Sequence, residues 1–243
     1  MNYNWNWHIF LEPNPMGTGT YLDMLLAGLV LTIKTALLAW VLALIFGSVI
    51  GVLRTLPSRT AYWIGFCWVE FFRNMPLLVQ LFLWFFVLPE LLPRGAGLWL
   101  KQLPNAPYWT AAIGIGFFMS ARVAVQLQAG IGSLPRGQKN AATALGLTTV
   151  QSYRYILLPM AFRIILPPLT SEFLNTIKNT AVAITIGLIE LTGQARSMQE
   201  FSFQVFEAFT AATVLYLLVN FIVVTGMRFL ERYVAIPGYI SGK

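Results

Sequence analysis

Among its 243 residues the chain has one cysteine, Cys67, and one histidine, His8. Disulfide frameworks, Cys/His metal centres and Ser/His or Cys/His nucleophilic chemistry therefore lack the residues they need. Charge is also scarce, at 10% of residues. No G-x-x-x-x-G-K-[ST] stretch is present to cradle nucleotide phosphates, so ATP hydrolysis is not expected of this chain. The first residues, MNYNWNWHIFLEPNPMGTGT, have neither a basic start nor an uninterrupted apolar core, which argues against a cleavable signal peptide. Trp5, Trp7 and Phe10 fit an interfacial anchor instead.

What the chain does have is apolar surface. Its hydrophobic fraction is 57% and its mean hydropathy +0.68, values that fit an integral membrane protein. The net charge of +7 does not point to nucleic acid, because a basic face in water is not available in such a composition. About 20 apolar residues cross a hydrocarbon core of about 30 Å. Five stretches meet this length, near 22–53, 61–89, 108–134, 164–189 and 207–230. The expectation is an all-α membrane protein with an external segment 1–21, a membrane domain 22–231 and a cytoplasmic tail 232–243.

Lys and Arg in short loops stay on the cytoplasmic side. With the N-terminus outside, the inner segments carry Arg54, Arg59, Arg136, Lys139, Arg154, Arg163, Arg228, Arg232 and Lys243. The outer ones carry only Arg94, Lys101 and Arg196, beside the acids Glu12, Asp23, Glu90, Glu190, Glu200 and Glu207. This asymmetry predicts an external N-terminus, a cytoplasmic C-terminus, and a cytoplasmic loop over 136–160.

That loop contains KNAATALGLTTVQSYRYILLP, residues 139–159. Ala141, Ala142, Ala144 and Leu145 form a first short helix that Gly146 can end. Thr148 and Gln151 have capping-box spacing for a second, on which Val150, Tyr153 and Leu157 share one face and which Pro159 and Pro167 limit. Physics alone leaves two readings: an amphipathic hairpin lying on lipid, or a docking site for a partner.

Four cations fall inside apolar stretches, where a charge near the centre costs about 2.5–3.5 kcal/mol on insertion scales. Lys34 can snorkel or pair, and Arg73, three residues after Glu70, can pair within its helix. Arg122 has no acid within four residues and needs an anion from elsewhere, either Glu172 or a substrate carboxylate held bidentately. Lys178 lies near a polar stripe of Glu172, Asn175 and Asn179 at helical spacing, which must face protein or water. Pathway lining and subunit packing both satisfy that stripe.

The loop, with Ala141, Ala142, Gly146, Leu147 and its Ile156, Leu158, Pro159 close, resembles the EAA loop of ABC importer permeases. FFRNMPLLVQLF at 71–82, SLPRGQKNAATALGLT at 133–148 and NTIKNTAVAITIGLIELT at 175–192 extend the resemblance to the polar amino acid permeases, and in particular to the glutamate/aspartate importers among them. The resemblance implies a type I, MetI-like fold and a role as permease subunit in the inner (cytoplasmic) membrane, with no cofactor or metal. It further implies a cytoplasmic ATPase dimer, a second related permease in a heterodimer, an external amino-acid-binding protein and surrounding lipid as partners. Coupling contacts would fall on Asn140, Ala141, Ala142, Gly146, Leu147, Val150, Tyr153 and Pro159. The cargo would be a polar amino acid, with an acidic one favoured because many relatives have tyrosine at the position of Arg122; glutamine, arginine and histidine are alternatives. The chain departs from the family pattern at Asn140, where a glutamate is usual, and at Val125 and Gln128, where many relatives carry an ion pair. A self-contained secondary transporter would explain the membrane charges but would leave the hairpin loop without a role.

Overall fold

The computed structural model describes residues 3–234 apart from 16 and 18, and all its regular elements are helical. After a 3-10 turn, Trp7–Leu11, come α1 (Tyr21–Leu53), α2 (Arg59–Asn74), α3 (Leu77–Leu91), α4 (Arg94–Lys101) and α5 (Ala106–Gly132). They are followed by α6 (Arg136–Ala144), α7 (Thr149–Ile186), α8 (Leu191–Ser202) and α9 (Val205–Val234). Helices α1, α5, α7 and α9 are each long and apolar enough to cross a membrane. Helices α2 and α3 pass the same length and hydropathy test when taken as one pair, with a bend of 103° at their break, which brings the candidate spans to five if the pair is one span.

The stretch expected as one span over 61–89 is broken in the middle. Pro76 lies at the break, with Met75 extended at φ −97° and ψ 135°, as a residue before proline prefers. The fourth span also differs: α7 begins at Thr149 and runs through Pro159, Pro167 and Pro168, so these prolines do not end the second loop helix. A π turn at Tyr153–Leu157 precedes Pro159, and neighbouring protein can re-satisfy backbone groups that proline frees in a membrane helix. Helix α9 extends to Val234, beyond the expected boundary at 231; residues 235–243 of the expected tail lie outside the described residues. The structure also forms a helix, α8, where a plain external loop was expected.

The chain divides into two units, and the long helices contribute to both. Among the described residues, the first comprises 3–40, 76–115 and 175–222. Its core gathers Ile9, Tyr21, Met24 and Leu25 against Leu191, Ala195 and Met198 of α8 and Ala208 and Ala212 of α9. The N-terminal segment is fastened there. The Tyr3 phenol and the Asn6 amide, the latter at 2.8 Å, both donate to the fully buried Glu207 carboxylate. Burial, then the hydrogen bond to Glu207 and the Glu207 charge, hold the Tyr3 phenol above its ordinary pKa. Trp5 and Trp7 stack at 5.6 Å and are about half exposed, while Phe10 packs against the core.

Among the described residues, the second unit comprises 41–75, 116–174 and 223–234. Here Gly47 and Gly51, one helical turn apart on α1, let α5 approach closely. A Cβ on Gly47 would lie 2.6 Å from the Val123 Cβ and 2.8 Å from the Ser120 carbonyl, and one on Gly51 would lie 3.0 Å from the Ala124 carbonyl. Phe46, Trp68, Phe72 and Phe117 form an aromatic cluster, and the Trp68 indole donates to Ser120 Oγ at 2.9 Å. These contacts fix the rotation of α5, the helix that carries Arg122.

Candidate functional site: an intramembrane polar set and a helical loop

Ala121, Val123 and Ala124 of α5 are fully buried, and Arg122 between them points the other way, with 45% of its side chain exposed. The 3.6-residue period explains the split: with one α5 face turned inward by the Gly47 and Gly51 contacts, residue 122 falls outside it. Arg122 Nη1 lies 3.7 Å from Glu172 Oε2 on α7, and the guanidinium sits 5.4 Å from the centre of the Phe118 ring. The acid is the more enclosed partner, at 12% side-chain exposure. Charge-assisted hydrogen bonds run to about 2.7–2.9 Å, so this is a loose ion pair. The guanidinium is thus placed beside an acid and also open to a further anion.

Asn175, Lys178 and Asn179 follow Glu172 along α7 but belong to the other unit. Lys178 is exposed, whereas Asn175 and Asn179 are half-buried. Immediately beyond Asn179 the α-helix tightens into a 3-10 stretch, Thr180–Ile186, that ends at Gly187 with φ +89°. The amide and ammonium groups therefore sit where the helical register changes, a feature often found at functional hinges. Lys34 and Arg73 are exposed. The expected Glu70–Arg73 pair is absent among the described residues; Glu70 instead accepts from Asn74 Nδ2 at 2.7 Å.

The sequence reading missed the buried acid of the first unit. Glu190, counted among external loop acids, has no exposed surface and caps α8, accepting from the Thr192 and Gly193 amides at 2.9 and 3.2 Å. Its second oxygen accepts from Thr32 Oγ1 at 2.9 Å and the Tyr216 hydroxyl at 2.6 Å. One carboxylate so joins α1, α8 and α9. The available signal was an acid directly before L-T-G-Q-A at a helix start, where a side-chain acceptor is favoured.

In the loop of the second unit, α6 ends in a Schellman motif: Leu147 N donates to the Ala142 carbonyl at 3.1 Å and Gly146 N to that of Thr143 at 3.0 Å. Gly146 has φ +73°, the left-handed conformation that glycine adopts without strain. Both halves of the Thr148–Gln151 capping box are present. Ala142 and Tyr153 face inward, with the Tyr153 hydroxyl donating to the Thr55 carbonyl at 2.8 Å. Leu157 is buried beside Tyr153, but Val150, in the first turn of α7, is 74% exposed, so the three do not share a face. Asn140, Ala141, Gly146 and Pro159 are exposed, Leu147 is half-buried, and Leu145 and Tyr155 add apolar surface that the sequence reading left out.

Comparison with known proteins gives a consistent result. The profile described as "Binding-protein-dependent transport system inner membrane component" matches residues 43–236. The chain is 46% identical to the glutamate/aspartate import permease protein GltJ of Escherichia coli K12, covering 100% of both. It is 29% identical to the glutamine transport system permease protein GlnP of the same strain, covering 87% of this chain and 93% of that one. Among solved structures it superposes on an amino acid ABC transporter crystallised with histidines, at a TM-score of 0.75 and 28% identity, covering 88% of this chain and 95% of that one. The inward-facing MetNI methionine transporter matches at a TM-score of 0.74 and 18% identity, covering 88% and 98%, a likeness of fold. The all-helical architecture is thus that of ABC importer permeases with a MetI-like fold, and the chain belongs to the family of binding-protein-dependent transport system inner membrane components.

Proposed function

We propose that this chain is the permease subunit of an ATP-binding cassette importer that carries acidic amino acids, glutamate or aspartate, across the inner membrane. The observation that carries the reading is the full-length identity of 46% to a permease named for those two substrates. The loose Arg122–Glu172 pair supports it: a cargo carboxylate can meet a guanidinium that its own acid holds only at 3.7 Å. Asn175, Lys178 and Asn179 would line the path further along α7 and supply hydrogen bonds to the cargo's other polar groups.

The chain itself is no enzyme in this reading. A cytoplasmic ATPase dimer supplies the energy and docks on the 136–160 loop, where Asn140, Ala141, Gly146, Leu147, Val150 and Pro159 offer contact surface. Ala142 and Tyr153 would transmit the movement inward, since both are buried. Asn140 brings no charge to this contact, so shape and the exposed Leu145, Val150 and Tyr155 carry the docking. A second related permease completes the membrane path, and an external binding protein delivers the cargo. The N-terminus is outside and the C-terminus inside.

Uptake of labelled glutamate, aspartate, glutamine, arginine and histidine by the reconstituted complex tests the reading. Competition of glutamate uptake by aspartate, with little by the basic amino acids, is expected. Uptake of glutamine or arginine in preference to both acids would overturn the cargo, and transport without a co-purifying ATPase would overturn the class.

A further inference from the structure

We infer that the outer face of α2 holds an anionic phospholipid, with its headgroup phosphate at Arg59 and one acyl chain along the helix. A groove of about 960 Å³ runs over this face, lined by Arg59 and Thr60 at one end and by Trp63, Cys67, Trp68 and Phe71 beyond. Its chemistry is sharply divided. A guanidinium and a hydroxyl mark the end at the α1–α2 turn, and everything further along is aromatic or aliphatic apart from the Cys67 thiol. From Arg59 to Phe71 the helix rises about 18 Å at 1.5 Å per residue, comparable to half of the roughly 30 Å hydrocarbon core. The groove therefore has the length of one leaflet, with its charged end at the headgroup level.

Charge selects the headgroup. The turn 54–60 holds Arg54 and Arg59 and no acid, and no carboxylate lines the groove. Arg54 Nε and Nη1 are buried without a hydrogen-bond partner, so its positive charge is not neutralised by a contact at those atoms. The first turn of α2 adds the positive end of a helix dipole, and Ser58 caps it. A zwitterionic lipid brings an ammonium into this field, whereas a phosphatidylglycerol brings only its phosphate. Trp63 is 50% and Phe71 53% exposed, while Trp68 and Phe72 form the floor, so an acyl chain gains contact on both sides. A lipid fits this surface better than a second protein subunit, because the one polar end calls for an anion and the rest for a flexible chain.

Two measurements on the full chain with its co-purifying partners test this. Mass spectrometry of lipids retained after detergent extraction should give phosphatidylglycerol about fivefold over phosphatidylethanolamine relative to the source membrane, the enrichment one basic residue at an anionic surface supplies. Arg59→Gln should abolish that preference and Arg59→Lys keep most of it. The single cysteine locates the lipid: a bimane on Cys67, in nanodiscs of phosphatidylcholine, should be quenched more by a small fraction of brominated phosphatidylglycerol than by the same fraction of brominated phosphatidylcholine. Equal quenching by the two lipids would overturn the proposal, as would equal retention in wild type and Arg59→Gln. Absence of quenching by either would show the face covered by another subunit, which also overturns it. Should Arg59→Gln fail to accumulate, the wild-type quenching comparison decides alone.

Discussion

Arg122 and Glu172 meet at 3.7 Å with the guanidinium nearly half exposed, and that geometry separates two roles for the arginine. A pair this open contributes about 0–1 kcal/mol to stability where water reaches it. Arg122→Lys should therefore leave membrane abundance unchanged while lowering acidic amino acid uptake about tenfold, the effect of losing one charged hydrogen bond of about 1.5 kcal/mol. If the pair were mainly structural, Glu172→Gln would reduce the assembled complex and the double change Arg122→Gln with Glu172→Gln would recover it. Immunoblots of the complex beside uptake assays distinguish the two, and normal abundance with normal uptake in Arg122→Ala would eliminate both. Glu190 contrasts with this pair. Fully buried and accepting four hydrogen bonds, it should tolerate amidation poorly: Glu190→Gln turns an acceptor into a donor facing the Thr32 and Tyr216 hydroxyls, with an expected loss of about 1–3 kcal/mol. Thermal unfolding of the purified protein should show a lower midpoint, with Tyr216→Phe milder because the carboxylate keeps its other partners.

At the scale of elements, the loop helix α6 depends on the left-handed turn at Gly146. A Cβ there meets no atom within 4 Å, so a substitution acts through backbone strain of about 1–2 kcal/mol and through whatever docks on the loop. Gly146→Leu should insert normally but lose cargo-stimulated ATPase activity, whereas Gly146→Asn, which tolerates the same conformation, should retain more of it. Unchanged stimulation and uptake in the leucine variant would count against the loop as the coupling element. The success of the sequence in this region has a local cause: Gly146, Thr148 and Gln151 act through bonds to residues three to five positions away. The four long spans were likewise legible from apolar length. What escaped depends on distant packing. Nothing near Glu190 announces Thr32 or Tyr216. Val150 was misplaced because the helical period carries the buried face back into the first turn of α7, where Val150 is exposed. Arg122 and Lys178 stood out in the sequence because a charge inside an apolar run is itself a signal.

For the whole molecule, the orientation inferred from Lys and Arg can be tested at positions the structure shows to be reachable. Residues 192–205 were expected to form an external loop, yet Ala195 and Met198 of α8 are fully buried, so cysteines placed there would stay silent on either side of the membrane. Arg196 on the same helix has a side chain 64% exposed, and Leu145 at the end of α6 is 78% exposed. In a Cys67→Ser background, which removes the single native thiol, the Arg196→Cys and Leu145→Cys variants each report one side. The charge asymmetry predicts that a membrane-impermeant maleimide applied to cells with a permeabilised outer boundary labels the Arg196→Cys protein and spares the Leu145→Cys protein until the inner membrane is opened. The opposite pattern would invert the topology and remove the loop from the side where ATP is available, and with it the assignment of residues 136–160 to ATPase docking. Labelling of both in sealed cells would place the two ends of α7 on the same side, and would contradict α7 as a membrane-crossing helix.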